Sequence, residues 1–367
     1  MATRKKLFMA IVATIALALA VLGYFLLRKS PEAPVIDEKY AAKVVKNALA
    51  LSGTISAQKL AGGLGGAQLF RATDGLNDYV IRFVQSGLPR EHLEQRIYDL
   101  KVASDGGYGP HVYLSDPSRG WVIMEYLPNR PISHQELQSG QWDQALAHLL
   151  QKIHRGGVFT SEKLDVFEKI SRDLNANKSK CSTIVSFAKI EQIVTAIRNA
   201  VAPHQTTAPT HNDLHKDNLR FWENECKAVD YDGAGPGDPY FDVATIANWV
   251  GFSAGQAREN ALFTQYLGRQ PSAVEEARLY LMKQAVLLKW ATGALTRLSP
   301  EHVHLYESIK ASSIRDFERD GLFVGKVDLS KPEDDMQFLK ALLKAVFENF
   351  DSPDFQQALN VLSRKNV

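Results

Sequence analysis

Thr210–Ala244 reads THNDLHKDNLRFWENECKAVDYDGAGPGDPYFDVA, and the reading of this stretch decides how the rest of the chain is understood. Its first part, His211–Leu219 (HNDLHKDNL), is dense in carboxylates and amides, and Lys227-Ala228-Val229 then leads into Asp230. The pattern predicts a loop, a short strand and a second acidic turn. Phosphoryl transfer from a nucleotide needs a carboxylate to accept the nucleophile's proton. It also needs oxygen ligands that hold magnesium against the phosphates, both on a rigid loop. Asp213 is the candidate proton acceptor, and Asn218 and Asp230 are the candidate metal ligands.

The order His-x-Asp-x-x-x-x-Asn, with a further Asp about twelve residues on, is that of a kinase catalytic loop and its metal-binding Asp. Here the second Asp is followed by Tyr231-Asp232-Gly233 in place of Phe-Gly. The stretch resembles the aminoglycoside phosphotransferase and choline kinase superfamily. In that superfamily an HxDxxxxN loop precedes an I-D-x-[ED]-x-A-x-x-x-D-P-x-x-D-[LV]-A block, and Val229–Ala244 (VDYDGAGPGDPYFDVA) matches it almost position by position, with Val for Ile. The resemblance, which spans about residues 55 to 300, implies an α+β, bilobal, protein-kinase-like fold with ATP as co-substrate and Mg2+ as cofactor. Asp232 reads as a helper at the metal or the cap of a turn. Asp238 and Asp242 stand beside turn formers or a helix start and read as structural, their carboxylates holding backbone N–H groups around the loop.

The chain as a whole fits an ordinary globular protein of 367 residues, 45% apolar, enough for one large or two modest domains. A net charge of +2 and the lack of basic blocks interleaved with aromatics argue against nucleic acid as a partner. Cys181 and Cys226 are too few for a disulfide framework or a zinc site and suit a reducing compartment. Leu7–Leu27 (LFMAIVATIALALAVLGYFLL) carries no charge and as a helix would reach roughly 30 Å, the depth of a bilayer core. Arg4-Lys5-Lys6 and Ala18-Leu19-Ala20 would also suit a cleaved signal peptide, but the apolar run continues past a usual h-region and favours a single-pass anchor. Flanking charges are nearly balanced, so the supply of ATP decides the expected orientation, with the catalytic domain on the cytosolic side.

This divides the chain into residues 1–30, tail and transmembrane helix; 31–40, linker; 41–127, N-lobe with a glycine-rich flap; and 128–367, helical C-lobe. Periodicity predicts a helix over Glu38–Leu51. A glycine-rich strand entry at Ala61–Ala72 turns at Asp74-Gly75 into a strand over Asp78–Val84, so Gly62, Gly63, Gly65 and Gly66 could bring backbone N–H groups close to phosphates. Arg82 stands where the kinase-like fold carries the phosphate-binding lysine of its third strand, and the resemblance leans toward choline kinases, in which this position is commonly Arg. Pro89–Leu100 reads as a helix whose Glu94, with Glu91 as rival, would pair with Arg82. A hairpin over His111–Leu114 and Trp121–Leu127 would run into the hinge, where backbone groups of Glu125 and Tyr126 meet an adenine edge. Helices then follow, with a break expected near Asn175–Lys180, and the tail from Pro332 to Leu362 reads as helical too.

The resemblance points to a small-molecule acceptor, with choline, ethanolamine or a related amino alcohol expected. Choline kinases hold a quaternary ammonium by cation–π contact, for which Trp249 and Trp290 are the candidate rings. Gly65-Gly66 in place of Ser/Thr-Asn, and Leu287 where a second Trp would stand, depart from that branch. Alternatives are an aminoglycoside or thiamine kinase of the same superfamily, or a membrane-tethered pseudokinase that binds nucleotide without turnover.

Overall fold

The computed structural model describes residues 35–60, 67–84, 89–128, 130, 132–318 and 325–364. The expected membrane helix Leu7–Leu27 and the glycines Gly62, Gly63, Gly65 and Gly66 lie outside these residues. Among the described residues no helix is long and apolar enough to cross a membrane.

The chain builds an α+β structure with a sheet lobe and a helical lobe. Helix α1 (Glu38–Ala48) starts where the Asp37 carboxylate accepts the Tyr40 N–H. Strands β1 (Ser56–Lys59), β2 (Gln68–Thr73), β3 (Asp78–Phe83), β4 (Val112–Asp116) and β5 (Trp121–Glu125) form one antiparallel sheet in the order β1-β2-β3-β5-β4. Alternation along β3 sends Tyr79, Ile81 and Phe83 into a small core with Ala41 and Val45 of α1. Val80 joins the large core that continues into the helical lobe. Arg82, two residues on, shares the Val80 face and so points toward that lobe. Helix α2 (Arg90–Asp105) runs between β3 and β4.

The helical lobe contains α3 (His134–Ser139), α4 (Asp143–His154), α5 (Val166–Cys181), α6 (Phe187–Val201), α7 (Pro239–Ala254), α8 (Gln256–Leu267), α9 (Ala273–Arg297), α10 (Ile314–Phe317), α11 (Pro332–Phe350) and α12 (Pro353–Ser363). Helix α9, opened by a capping box between Ser272 and Glu275, packs on α5, α7, α11 and α12. Leu281, Met282, Ala285, Val286 and Leu288 of α9 are at or near zero exposure.

One expectation is corrected here. Helix α5 runs unbroken through Asn175–Lys180 because its polar residues are satisfied against α9. Asn177 donates to Thr296 Oγ1 at 3.0 Å, and Lys180 to the carbonyls of Leu295 and Leu298, both at 2.7 Å. The tail is helical as expected, in two pieces, since Pro353 cannot donate the N–H that would continue α11 and instead opens α12, capped by Ser352.

Candidate active site

Four short strands set the acidic turns side by side. The loop His211–Asn218 leaves β6 (Ala208–Thr210) and enters β7 (Leu219–Trp222). The turn around Asp230 leaves β8 (Glu225–Ala228) and enters β9 (Gly235–Gly237). Because β6 pairs with β9 and β7 with β8, both antiparallel, the loop and the turn must meet. Val229 N–H donates to Asn218 O at 2.8 Å, and the Asn212 side chain to Gly233 O at 2.9 Å. Tyr231, standing where Phe would in a protein kinase, is buried, and its hydroxyl donates to Tyr108 O at 2.9 Å.

Asp242, in the first turn of α7, holds the loop from behind. Its buried carboxylate accepts the N–H groups of His211 (2.7 Å) and Asn212 (2.8 Å) and lies 3.2 Å from His154 Nε2. Asp238 caps α7 through the Tyr240 N–H and pairs with Arg278 at 2.6 Å. Both therefore do the structural work read from their positions. Burial holds the His211 imidazole below its ordinary pKa despite Asp242 nearby, so the neutral ring donates from Nε2 to Val229 O at 3.0 Å.

Asp213 projects from this fixed loop with its two oxygens in different company. Oδ1 is 3.0 Å from Lys289 Nζ of α9, and Oδ2 is 3.5 Å from His215 Nε2. Burial by itself would raise this carboxyl, but Lys289 and His215 outweigh it and hold Asp213 well below the usual carboxylate range. Its side chain is still 42% exposed, so an ionised carboxylate is open to an incoming hydroxyl. Asn218 donates Nδ2 to Asp213 O at 2.9 Å, which turns its Oδ1 away from that contact.

Asp230 sits at φ +66°, ψ +65°, the left-handed region that a non-glycine residue occupies only under constraint. Burial pushes its carboxyl up, opposed by Arg82, whose Nη1 is 3.6 Å away. Asn218 Oδ1 and the Asp230 carboxylate are hard oxygen donors on adjoining backbone, a set that suits magnesium completed by phosphate and water oxygens. Among the described residues no group of three or more His, Cys, Asp and Glu is placed to hold a metal ion by itself.

Arg82 does not pair with Glu94. It grips Asp232 through both nitrogens, at 2.7 and 2.5 Å, and Arg96 adds a bond to Asp232 Oδ2 at 2.9 Å. Glu94 is paired with Arg90 at 2.7 Å on the outer face of α2. Residues two apart on a helix point about 200° away from one another, so with Arg96 turned inward Glu94 must face solvent. Glu125 spends its amide N–H on His111 O (2.7 Å) and its carboxylate on Lys227 (3.1 Å), while Tyr126 lies 4.4 Å under the Arg71 guanidinium. Trp249 is 3% exposed inside α7, a helix buried nearly all round, and offers no ring face to a ligand. Trp290 is half-buried beside Phe338, 6.5 Å between ring centroids.

Residues 56–280, more than half of the chain, match the model of the phosphotransferase enzyme family. The chain belongs to that family. It is a small-molecule kinase with the fold shared by several solved structures. One is a choline/ethanolamine kinase family protein from Mesorhizobium loti, with TM-score 0.63, 18% identity, and 88% of this chain and 98% of that one covered. A second is an ethanolamine kinase from Plasmodium vivax, with TM-score 0.61, 14% identity and 91% and 95% covered. The choline kinase LicA from Streptococcus pneumoniae has TM-score 0.54, 16% identity and 84% and 99% covered. Aminoglycoside phosphotransferases are also among the matches. No curated protein matches the chain.

Lys289 and Arg96 were missed in reading the sequence. Lys289 is the one charge in the apolar run LLKWATGAL, a signal overlooked beside Trp290. Arg96 carries no local signal, because only the tilt of α2 decides which of its polar residues faces Asp232.

Proposed function

We propose that this kinase transfers the γ-phosphoryl group of Mg-ATP to the hydroxyl of a small amino alcohol: choline, ethanolamine or a related compound. Asp213 accepts the hydroxyl proton as the new O–P bond forms and the bond to the ADP oxygen breaks. Lys289 keeps that carboxylate ionised and oriented. Asn218 and Asp230 would hold the divalent cation, which would supply charge neutralisation at the phosphates. Arg82, fixed on Asp232, adds positive charge at the same edge. The observation that carries this reading is the ionised, half-open Asp213, tied through Asn218 to the turn that bears Asp230.

The amino-alcohol acceptor is supported by Arg82 on β3, by Trp290 near Lys289 and by likeness to choline and ethanolamine kinases. Burial of Trp249 leaves Trp290 as the remaining ring of the expected pair, which favours a second reading, an aminoglycoside or thiamine kinase. The apolar stretch Leu7–Leu27 is taken as a membrane anchor, with the kinase on the cytosolic side. The test is ADP formation by the full-length chain in detergent micelles with choline, ethanolamine, thiamine and an aminoglycoside. Turnover with choline or ethanolamine is expected. Binding of Mg-ATP without turnover of any acceptor would replace this reading by the tethered pseudokinase.

A further inference from the structure

Three guanidinium–carboxylate bonds converge on Asp232, two from Arg82 and one from Arg96. Both arginines come from the sheet lobe, on β3 and α2, and the carboxylate comes from the turn that carries Asp230. Arg82 also has the Asp230 carboxylate 3.6 Å away, whereas Arg96 has Asp232 as its carboxylate, and the question is which cation is free to leave. Arg82 is 13% exposed and bonded to Asp232 through Nη1 and Nη2. Its departure would strip Asp232 of two parallel charge-assisted bonds and take a buried guanidinium away from both carboxylates. Arg96 is 31% exposed and gives a single bond. When it leaves, the Arg82 fork stays on Asp232 and no buried charge is orphaned.

We propose that Arg96 is a ligand of the nucleotide phosphates. On nucleotide binding it turns from Asp232 to the phosphates, while Arg82 stays as the clamp that fixes Asp232 beside Asp230. The guanidinium has five N–H donors and spends one of them on Asp232, so its planar fork is largely available to phosphate oxygens. The face of α2 expected to present the Glu94 carboxylate presents this cation instead, and the carboxylate of the inter-lobe pair has moved to the metal turn as Asp232. The proposal rests on the nucleotide-binding reading given above.

The test is calorimetric titration of the full-length chain in detergent micelles with Mg-ATP and, separately, with adenosine. Arg96→Met should weaken Mg-ATP about tenfold, the scale of one charge-assisted contact, and leave adenosine affinity and the ligand-free Tm unchanged. Arg96→Lys should restore most of the loss, and Arg82→Met should lower the ligand-free Tm. An unchanged ratio of Mg-ATP to adenosine affinity in Arg96→Met overturns the proposal, whether or not both affinities fall together. A wild-type chain that binds adenosine and Mg-ATP equally, or neither, overturns the nucleotide-binding reading itself and the Arg96 role with it.

Discussion

At Asp213 a single carboxylate meets two demands: it must be ionised, and it must be reachable. Lys289 and His215 supply the first by opposing the effect of burial, and the open side of the loop supplies the second. Asp213→Asn keeps the shape and removes the basic oxygen, so kcat should fall by about 10² to 10⁴ with Mg-ATP affinity retained. Steady-state turnover within a few-fold of wild type on the true acceptor would sink that assignment. Asp230 is proposed to act on the other side of the reaction, at the metal. Asp230→Ala should weaken magnesium-dependent nucleotide binding about tenfold or more, because a hard cation loses its charged oxygen ligand. Position 230 keeps its left-handed backbone, which Ala adopts less readily than Asp, so Asp230→Asn, which tolerates that conformation, is measured beside it and the ligand-free Tm of both is compared with wild type. Titration with Mg-ATP reads the affinity, and equal affinities for the two proteins would count against the metal role.

Elements turn these residues into a site. One short strand ahead of Asp230 is legible in the sequence, but the pairing of β6 with β9 and of β7 with β8 is not, because strands of three and four residues carry too little pattern to name their partners. Asp242 holds the N–H groups of His211 and Asn212 just after β6 and so fixes where the loop leaves that strand. Helix α10 contributes a pH-dependent feature by the same kind of contact. Glu318, just after it, is 5% exposed, and burial pushes its carboxyl up to about 7, opposed by Lys216 and reinforced by Asp217. The unfolded chain releases this proton near the ordinary 4.5, whereas the folded chain keeps it until about 7. The stabilising effect of the neutral form is therefore complete below the unfolded value and lost as pH rises through the folded one. Glu318→Gln should gain in Tm relative to wild type between pH 5 and 8, as read by paired thermal melts. A difference between the two proteins that does not change with pH would show that the Glu318 carboxyl does not titrate differently in the two states.

At the scale of the whole molecule, the kinase is joined to a stretch, Leu7–Leu27, with the length and lack of charge of a membrane span. ATP is available on the cytosolic side, and that supply, rather than the nearly even flanking charges, sets the expected orientation. Intact cells treated with protease and blotted for the C-terminal domain should show it protected. Digestion without lysis would reverse the orientation and separate the domain from cytosolic ATP.

Local chemistry reaches as far as the sequence does. The order of Asp213, Asn218 and Asp230 within two turn-bounded blocks, the strand over Asp78–Val84 and the helix start beside Asp238 are short-range patterns, and the resemblance carried by the two blocks implies the family and its two-lobed fold. Partners on separate elements are not short-range. Lys289 reaches Asp213 across 76 positions within the helical lobe, and Arg82 and Arg96 reach Asp232 across 150 and 136 between the lobes. Spacing along α2 leaves open whether Glu94 or Arg96 faces the turn that bears Asp230 and Asp232, and the rotation of the helix presents Arg96. Trp249 and Trp290 look alike as aromatics on helices, and only packing puts one in the core and leaves the other half-buried. Sequence spacing specifies which groups are present on each element. Which of them meet depends on how the elements are rotated and packed, because a helix turned by half a revolution presents a different charge to the same site.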